Sequence, residues 1–202
     1  MSWSKEQMAD EVIGLFKKNS TVNLGIGLPS LVADRLPLDL NIMIQSENGI
    51  LGVGERPTKK TVSPTLINAG KETITAVPGT SFFDSALSFG MIRGGHIDYS
   101  VLGGMEVDVS GNLANWMVPG SKITGMGGAM DLVNGSKNII IMMTHFNKSG
   151  ECKLKKSCGL PLTGLGVVDL VVTELGIFKP NKKNFEVIKL ADGINDADLK
   201  LP

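Results

Sequence analysis

Apolar and polar positions along the chain change period repeatedly, which predicts short helices and strands in succession. Residues 4–7 (Ser-Lys-Glu-Gln) have the form of a helix capping box, and the apolar positions after them recur at helical spacing to about Lys18. Two later runs, 138–144 and 165–173, are almost wholly apolar, as is typical of strands buried on both faces of a parallel sheet. The pattern therefore predicts an α/β fold with an open, largely parallel sheet flanked by helices.

Turn residues set the limits of the remaining predicted elements. These are strands at 22–24, 41–45, 73–77 and 99–102, helices at 30–36 and 81–93, and added hairpins that turn at 110–112 and 181–184. Pro37 is expected to end its helix, and residues 78–79 (Pro-Gly) the strand before them. No internal repeat is visible, and 202 residues suffice for one core, so 1–202 is predicted to be a single domain.

Charge and cysteine content exclude several classes of protein. Lys and Arg number 20 against 20 Asp and Glu, so no general attraction to nucleic acid or to an anionic membrane is expected. The two cysteines form neither a disulfide framework nor a zinc pattern, and no metal site is predicted. The start of the chain is polar and no apolar run approaches about 18 residues, so we expect a cytoplasmic protein without a membrane span.

Glycine is unusually frequent, with 25 residues clustered between apolar runs. Such clusters indicate sharp turns or backbone that approaches a ligand closely. The glycines at 25 and 27 follow a predicted strand but lack the x-x-Gly continuation of a dinucleotide fingerprint, so a nicotinamide or flavin site is rejected. They either close a strand–helix turn or contact a ligand. The loop 126–131 leads into a predicted helix and can point backbone N–H groups at an anion.

Glu47 is the candidate nucleophile. It follows the apolar residues 42–44 and stands directly before Asn48 and Gly49, in a turn at the end of a strand. Open α/β sheets bind ligands beyond the carboxyl ends of their strands, which favours a functional role. The local pattern by itself fits a solvated turn residue better.

Four other polar features have a structural and a functional interpretation. Lys71 lies in a glycine turn between strands, where it is either an idle surface cation or part of a site. His96 follows a glycine pair and His145 ends an apolar strand; neither has a Ser or Cys at nucleophile-elbow spacing, which favours structural roles. Lysines at 153, 155 and 156 form a solvated face or a contact for a phosphate-bearing ligand.

Taken together, the motifs resemble the B (beta) subunit of family I CoA transferases of the 3-oxoacid, acetate or butyrate–acetoacetate type. The matching stretches, which cover nearly the whole chain in order, are 23–29 (Asn-Leu-Gly-Ile-Gly-Leu-Pro), 45–52 (Gln-Ser-Glu-Asn-Gly-Ile-Leu-Gly), 67–73, 81–83, 91–96, 113–120 and 125–132. Departures are Gly104 and Glu106, where relatives often have Ala and Gln, and a C-terminus somewhat short of the usual one.

The resemblance implies roles for particular residues. The Ser-Glu-Asn-Gly stretch is the catalytic signature of the family, which makes Glu47 the nucleophile. The N–H groups of Gly128 and Ala129 are the expected oxyanion donors, a role that also suits a glycine-rich loop. The expected contacts to substrate or CoA come from Asn23, Gly25, Lys71 and Gly103, with Lys71 binding the carboxylate of an acidic acyl group or acceptor.

The implied reaction transfers CoA from an acyl-CoA to a short-chain carboxylic acid or 3-oxoacid by a ping-pong mechanism through a glutamyl-CoA thioester. Coenzyme A is then substrate and covalent intermediate, and no permanently bound cofactor is expected. The family pairs this chain with an A (alpha) subunit, for which we expect an α2β2 assembly. Two alternatives remain: a non-catalytic CoA-binding subunit, and an acyl-CoA hydrolase or sugar-phosphate isomerase of a related fold.

Overall fold

The computed structural model describes residues 1–120, 122–123, 125 and 127–202. Met126, which belongs to the predicted anion-binding loop, lies outside the described residues. The helices are α1 (Lys5–Ile13), α2 (Ser85–Arg93), α3 (Ala129–Gly135) and α4 (Asp196–Leu199), with 3-10 helices at Leu28–Arg35 and Leu38–Leu40.

The strands fall into one large and two small sheets. They are β1 (Thr21–Leu24), β2 (Met43–Ser46), β3 (Ile50–Val53), β4 (Ala76–Phe82), β5 (Tyr99–Leu102), β6 (Glu106–Asp108), β7 (Leu113–Ala114), β8 (Met117–Val118), β9 (Lys122–Ile123), β10 (Asn138–Met142), β11 (Leu154–Lys155), β12 (Leu170–Thr173), β13 (Gly176–Pro180) and β14 (Phe185–Leu190). One small sheet contains β11, β6 and β7, and the other pairs β8 with β9.

The large sheet has the order β14-β13-β12-β10-β5-β1-β2-β3-β4. Its five central strands, from β12 to β2, are parallel, and an antiparallel pair extends the sheet at each side. The predicted fold class is thus confirmed. The predicted hairpin at 181–184 is the pair β13–β14, whereas the antiparallel pair β3–β4 on the other side was not predicted.

Strand β10 shows why a wholly apolar run is needed at the centre of the sheet. Ile139 and Ile141 point to a core that includes residues of α2 and α3, whereas Ile140 and Met142 point to the core packed by α1. All four side chains are buried because successive strand residues face opposite sides of the sheet. The prediction of a strand covered on both faces is confirmed.

The carboxyl ends of the parallel strands meet at one edge of the sheet, and the loops that follow them gather there. Gly25 follows β1, Glu47 follows β2 and Gly103 follows β5. Neighbouring strands lie about 4.8 Å apart, so residues at the ends of β2, β1 and β5 are close in space although they are distant in sequence. This edge positions the candidate site.

Several predicted boundaries were wrong. Helix α1 ends at Ile13 rather than near Lys18, and the segment after Gly27 is a 3-10 helix that begins before residue 30. Strand β12 begins at Leu170, so the apolar run from 165 is only partly a strand. The hairpin around 110–112 is confirmed with shorter strands, since Val107 pairs with Leu113.

The largest error concerns β4, which passes through Pro78 and Gly79 instead of ending there. Among the described residues, the strand lies at the edge of the sheet and pairs with β3 alone, so a residue without an N–H group can be accommodated. Ser81 and Phe82 consequently belong to β4, and helix α2 begins after Asp84, whose carboxylate accepts a 2.8 Å hydrogen bond from Leu87 N. The capping side chain is Asp84 rather than Ser81.

Among the helices in the described ranges, none is long and apolar enough to cross a membrane.

His145 has the structural role that the sequence favoured. Its ring is fully buried, with Nε2 2.7 Å from the carbonyl oxygen of Leu199 and Nδ1 3.1 Å from Thr173 Oγ1. Nε2–H therefore donates to the carbonyl group, and this bond ties α4 to the segment that follows β10. Burial lowers the pKa of His145 below its usual value of 6.5.

We expect the free energy of unfolding to decrease as the pH falls below about 6.5, because the unfolded chain then binds a proton that the buried His145 resists. Replacing His145 with Gln should remove this part of the pH dependence. Urea unfolding between about pH 7 and pH 5 measures it. The exposed His96, the other histidine of the chain, supplies the control His96→Gln. An unchanged pH dependence in His145→Gln would contradict the assignment.

Candidate active site

Glu47 lies in the tight turn 47–49 that joins β2 to β3. The turn is closed by a 3.0 Å hydrogen bond from Gly49 N to Ser46 O, and Gly49 O accepts a 3.0 Å bond from Phe83 N. Gly49 has a φ of +118°, and a Cβ atom there would overlap the carbonyl oxygen of Phe83. Only glycine fits this position, which explains the Asn-Gly pair after the carboxylate.

The side chain of every residue in the segment 45–48 forms a hydrogen bond with a different part of the chain. Gln45 Nε2 donates to Ser88 Oγ (2.8 Å), Ser46 Oγ accepts from Ala69 N (2.9 Å), Glu47 Oε2 accepts from Asn23 Nδ2 (3.1 Å), and Asn48 Nδ2 donates to Ile67 O (2.8 Å). These four contacts hold the turn in one position. The carboxylate of Glu47 is thereby oriented without an ion pair among the described residues.

Asn23 supports Glu47 from beneath. Its side chain is fully buried, and Nδ2 lies within hydrogen-bond distance of Gln45 Oε1 (2.7 Å), Gln45 O (3.3 Å) and Glu47 Oε2. Asn23 Oδ1 has no hydrogen-bond partner among the described residues. In this geometry Asn23 contacts the carboxylate, and the direct contact with substrate that the sequence predicted for it stays a prediction.

An open cleft with a volume of about 470 Å³ lies over Glu47. The structure brings five of the seven predicted site residues to its walls: Glu47, Gly25, Gly103, Gly128 and Ala129. Four of these five residues carry little or no side chain, so they present mainly backbone to the cleft, whereas Ile26, Leu102 and Met105 add apolar side chains elsewhere on its walls.

Gly128 is a residue of the glycine loop that lies beside the carboxylate. An ideal Cβ at Gly128 would lie 3.5 Å from Glu47 Cγ and 3.2 Å from the ring of Phe89. Gly128 precedes the first turn of α3, and neither its N–H nor that of Ala129 donates to a backbone carbonyl within the part of the chain that the structure describes. Free N–H groups at the start of a helix can bind an anion.

Lys71, like Asn23, is a predicted site residue that does not line the cleft. Its side chain is exposed, its φ is +64°, and its N–H donates to Asn68 O (3.0 Å) to close a turn. The residues just before it, Asn68 to Gly70, line a second pocket that also reaches Glu47. The predicted role of Lys71 as a binder of carboxylates stays a prediction.

The second pocket is narrow, with a volume of about 50 Å³. Its apolar wall includes Leu24, Ile44, Val53 and Ile74. Arg56 also lines it, and the guanidinium lies 2.8 Å from the carboxylate of Asp34 and 3.4 Å from that of Glu72. Glu47 thus stands between a wide cleft and a narrow, largely apolar pocket.

Sequence reasoning missed Arg56, Ser88 and Phe89 as parts of the site. Arg56 occurs in a loop without periodicity, and Ser88 and Phe89 are ordinary helix positions, so no local signal marks them. Among the described residues, no group of three or more His, Cys, Asp or Glu side chains is arranged to hold a metal ion.

Comparison with known proteins identifies relatives of this chain. The sequence model of the coenzyme A transferase family matches residues 5–192. The B subunit of the succinyl-CoA:3-ketoacid coenzyme A transferase of Helicobacter pylori (strain J99) is 57% identical over 91% of this chain and 88% of its own length. The beta subunit of the acetate CoA-transferase of Escherichia coli (strain K12) is 46% identical over 98% of this chain and 90% of its own length.

The fold also occurs in a solved structure. The crystal structure of an acyl-CoA transferase apoenzyme (YdiF) from Escherichia coli O157:H7 superposes with a TM-score of 0.76 and 22% sequence identity. The match covers 98% of this chain but only 40% of that longer chain. At 22% identity the structural similarity supports the assignment of the fold. The assignment to the family is based on the sequence matches.

We expect Gly49→Ala to destabilise the protein by roughly 3–5 kcal/mol, because the strain of a positive φ adds to the overlap with Phe83 O. The matched control is Gly79→Ala, since Gly79 has a φ of +88° but no atom within 4 Å of an added Cβ. It should cost only about 1–2 kcal/mol. Urea unfolding measures both, and equal losses would contradict the role given to the Phe83 contact.

Proposed function

Since the chain belongs to the coenzyme A transferase family, we propose that it is the catalytic beta subunit of an enzyme that moves CoA from an acyl-CoA to a short-chain carboxylic acid or 3-oxoacid. The observation that carries the proposal is the position of Glu47. This residue lines both a wide cleft and a narrow, largely apolar pocket, and its carboxylate is held by the buried amide of Asn23.

The proposed first step is attack by a Glu47 oxygen on the carbonyl carbon of the acyl-CoA thioester. The carbon–sulfur bond breaks, and the products are a mixed anhydride and CoA thiolate. The thiolate then attacks the carbonyl carbon of Glu47, which forms the glutamyl-CoA thioester and releases the first acid as its carboxylate. The acceptor carboxylate takes the CoA by the same two steps in reverse, which gives ping-pong kinetics.

A carboxylate is a weak nucleophile toward a thioester, so the site must stabilise the oxyanion that develops during attack. We assign this role to the N–H groups of Gly128 and Ala129, which line the same cleft as Glu47 and have no backbone acceptor among the described residues. The missing side chain at Gly128 leaves room for the reacting carbonyl group. Gly25 and Gly103, on the other walls of the cleft, let the thioester arm of CoA approach the backbone closely.

Water must be kept away from the mixed anhydride, yet the cleft of this chain is open. The names of the relatives describe them as B or beta subunits, which implies a further chain. We propose that an A (alpha) subunit covers the cleft in an α2β2 assembly and that the chain alone has little activity. A cytoplasmic location agrees with the two free cysteines of this chain.

The narrow pocket suits the short chain of the acyl group or acceptor. Its wall is mostly apolar, and Asn68 to Gly70, next to Lys71, form one side. We propose that Lys71 binds the second carboxylate of an acidic substrate. Arg56 lines the same pocket but is already paired with Asp34 and Glu72, so it is less available for this purpose.

Mixing the chain and its alpha subunit with acetoacetyl-CoA, without an acceptor acid, should leave a CoA-sized adduct on the peptide that contains Glu47. Mass spectrometry of the digested protein detects it, and Glu47→Ala should abolish it. The chain without its alpha subunit is the control for the proposed division of the site. An adduct that survives Glu47→Ala, or continuous CoA release that needs no acceptor, would contradict the transferase mechanism, the latter in favour of a hydrolase.

Lys71→Ala should raise the Michaelis constant for a dicarboxylic acceptor such as succinate by about three- to fivefold, because an exposed ion pair is worth up to about 1 kcal/mol. The constant for a neutral acyl-CoA should change less than about twofold. Steady-state kinetics with both substrates varied give the two values, and Lys59→Ala, another exposed lysine, is the control. An equal effect on both constants would remove Lys71 from this role.

A further inference from the structure

A chain of buried hydrogen bonds leads from helix α2 to the carboxylate of Glu47. Ser88 Oγ accepts from Gln45 Nε2 (2.8 Å), Gln45 Oε1 accepts from Asn23 Nδ2 (2.7 Å), and the same Nδ2 donates to Glu47 Oε2 (3.1 Å). Ser88 and Asn23 are fully buried and Gln45 is 1% exposed. None of these three relay residues, Ser88, Gln45 and Asn23, lies on the wall of the wide cleft.

An ionised carboxylate only accepts hydrogen bonds, so Glu47 at one end of the chain requires the amino group of Asn23. Ser88 at the other end supplies the acceptor that the amino group of Gln45 then needs. A carboxamide has a donor and an acceptor end, and a buried end without a partner is unfavourable. With Ser88 Oγ as acceptor, the amino end of Gln45 points to α2 and its oxygen to Asn23. The amino group of Asn23 then donates to Gln45 and to Glu47. The Asn23 amide is thus held with its amino group toward the carboxylate.

Helix α2 also supports the opposite side of the site. Phe89, the residue after Ser88, packs against Gly128, whose ideal Cβ would lie 3.2 Å from the Phe89 ring. Two successive residues of one helix therefore contact the relay behind Glu47 and the loop that faces it. A rigid helix is well suited to keep a nucleophile and an oxyanion donor at a constant separation.

We propose that Ser88 is a positioning residue for the reaction, acting through Gln45 and Asn23 on the orientation of the Glu47 carboxylate. The expected effect of Ser88 on turnover rests on the proposed function. Loss of the Ser88 hydroxyl leaves the Gln45 amino group without its acceptor. The two amides then lose their fixed orientation, and the Glu47 carboxylate is no longer held in position to attack the thioester. A misplaced nucleophile slows reaction without weakening substrate binding.

Ser88→Ala in the enzyme assembled with its alpha subunit should therefore lower kcat at least about tenfold and leave KM for acyl-CoA within about twofold of wild type. Ser88→Thr, which retains the hydroxyl group, should keep most of the activity. Ser85→Ala is the matched control, because Ser85 is an exposed serine of the same helix and should leave kcat unchanged. Wild-type kcat in Ser88→Ala, or equal losses in the Ala and Thr variants, would overturn the proposal.

A second route tests the relay rather than the single side chain. Gln45→Met removes the amide from the other end of the Ser88 bond, so Ser88→Ala combined with Gln45→Met should be no slower than Gln45→Met alone. Losses that multiply in the double variant would show that Ser88 acts independently, and would overturn the proposal.

A spectroscopic measurement separates this inference from the proposed function. The side-chain amide protons of Asn23 should be protected from hydrogen exchange in wild type and in Ser85→Ala, and exchange at least about tenfold faster in Ser88→Ala. NMR on the isotopically labelled chain, bound to its alpha subunit, follows them. Retained protection in Ser88→Ala would overturn the relay whether or not CoA is transferred, whereas absence of CoA transfer in wild type would overturn only the proposed function.

Discussion

The hydrogen bond from the buried amide of Asn23 to Glu47 is the contact on which the arrangement of the site depends. A carboxylate at the end of a strand, in a turn that faces an open cleft, would otherwise sample many orientations. Asn23 is on β1 and Glu47 follows β2, and the parallel register that pairs Asn23 with Gln45 brings the amide beneath the carboxylate. A shift of one residue would turn Asn23 to the other face of the sheet and remove the contact.

The cores, Gly49 and Gly128 each help to keep the contact between Asn23 and Glu47 in place. Two hydrophobic cores, one on each face of the sheet, keep the central strands in register. Gly49 lets the chain reverse directly after Glu47 without colliding with Phe83, and Gly128 leaves the space on the other side of the carboxylate empty. A neutral amide orients the carboxylate without placing a positive charge beside it, which suits the nucleophilic role proposed for Glu47.

Much of the fold could be predicted from the sequence, because the spacing of apolar residues depends on burial. Elements buried on both faces, buried on one face or exposed differ in this spacing. The apolar run of β10 and the strand at β1 were found in this way, and the family motifs correctly indicated the fold. The errors fell where tertiary context prevails over local preference. Pro78 is a strand breaker in the interior of a sheet but is accommodated in β4, which is an edge strand in the sheet that the described residues form.

The sequence by itself determined which residue is the candidate nucleophile, which loops are rich in glycine, and which family the chain resembles. Only the tertiary structure decided that Asn23 lies beneath Glu47, that Arg56 is already paired with two carboxylates, and that Ser88 and Phe89 contact both sides of the site. The physical reason is that local patterns report burial and turns. Contacts between residues 24 to 43 positions apart depend on strand order and register, which no local pattern records.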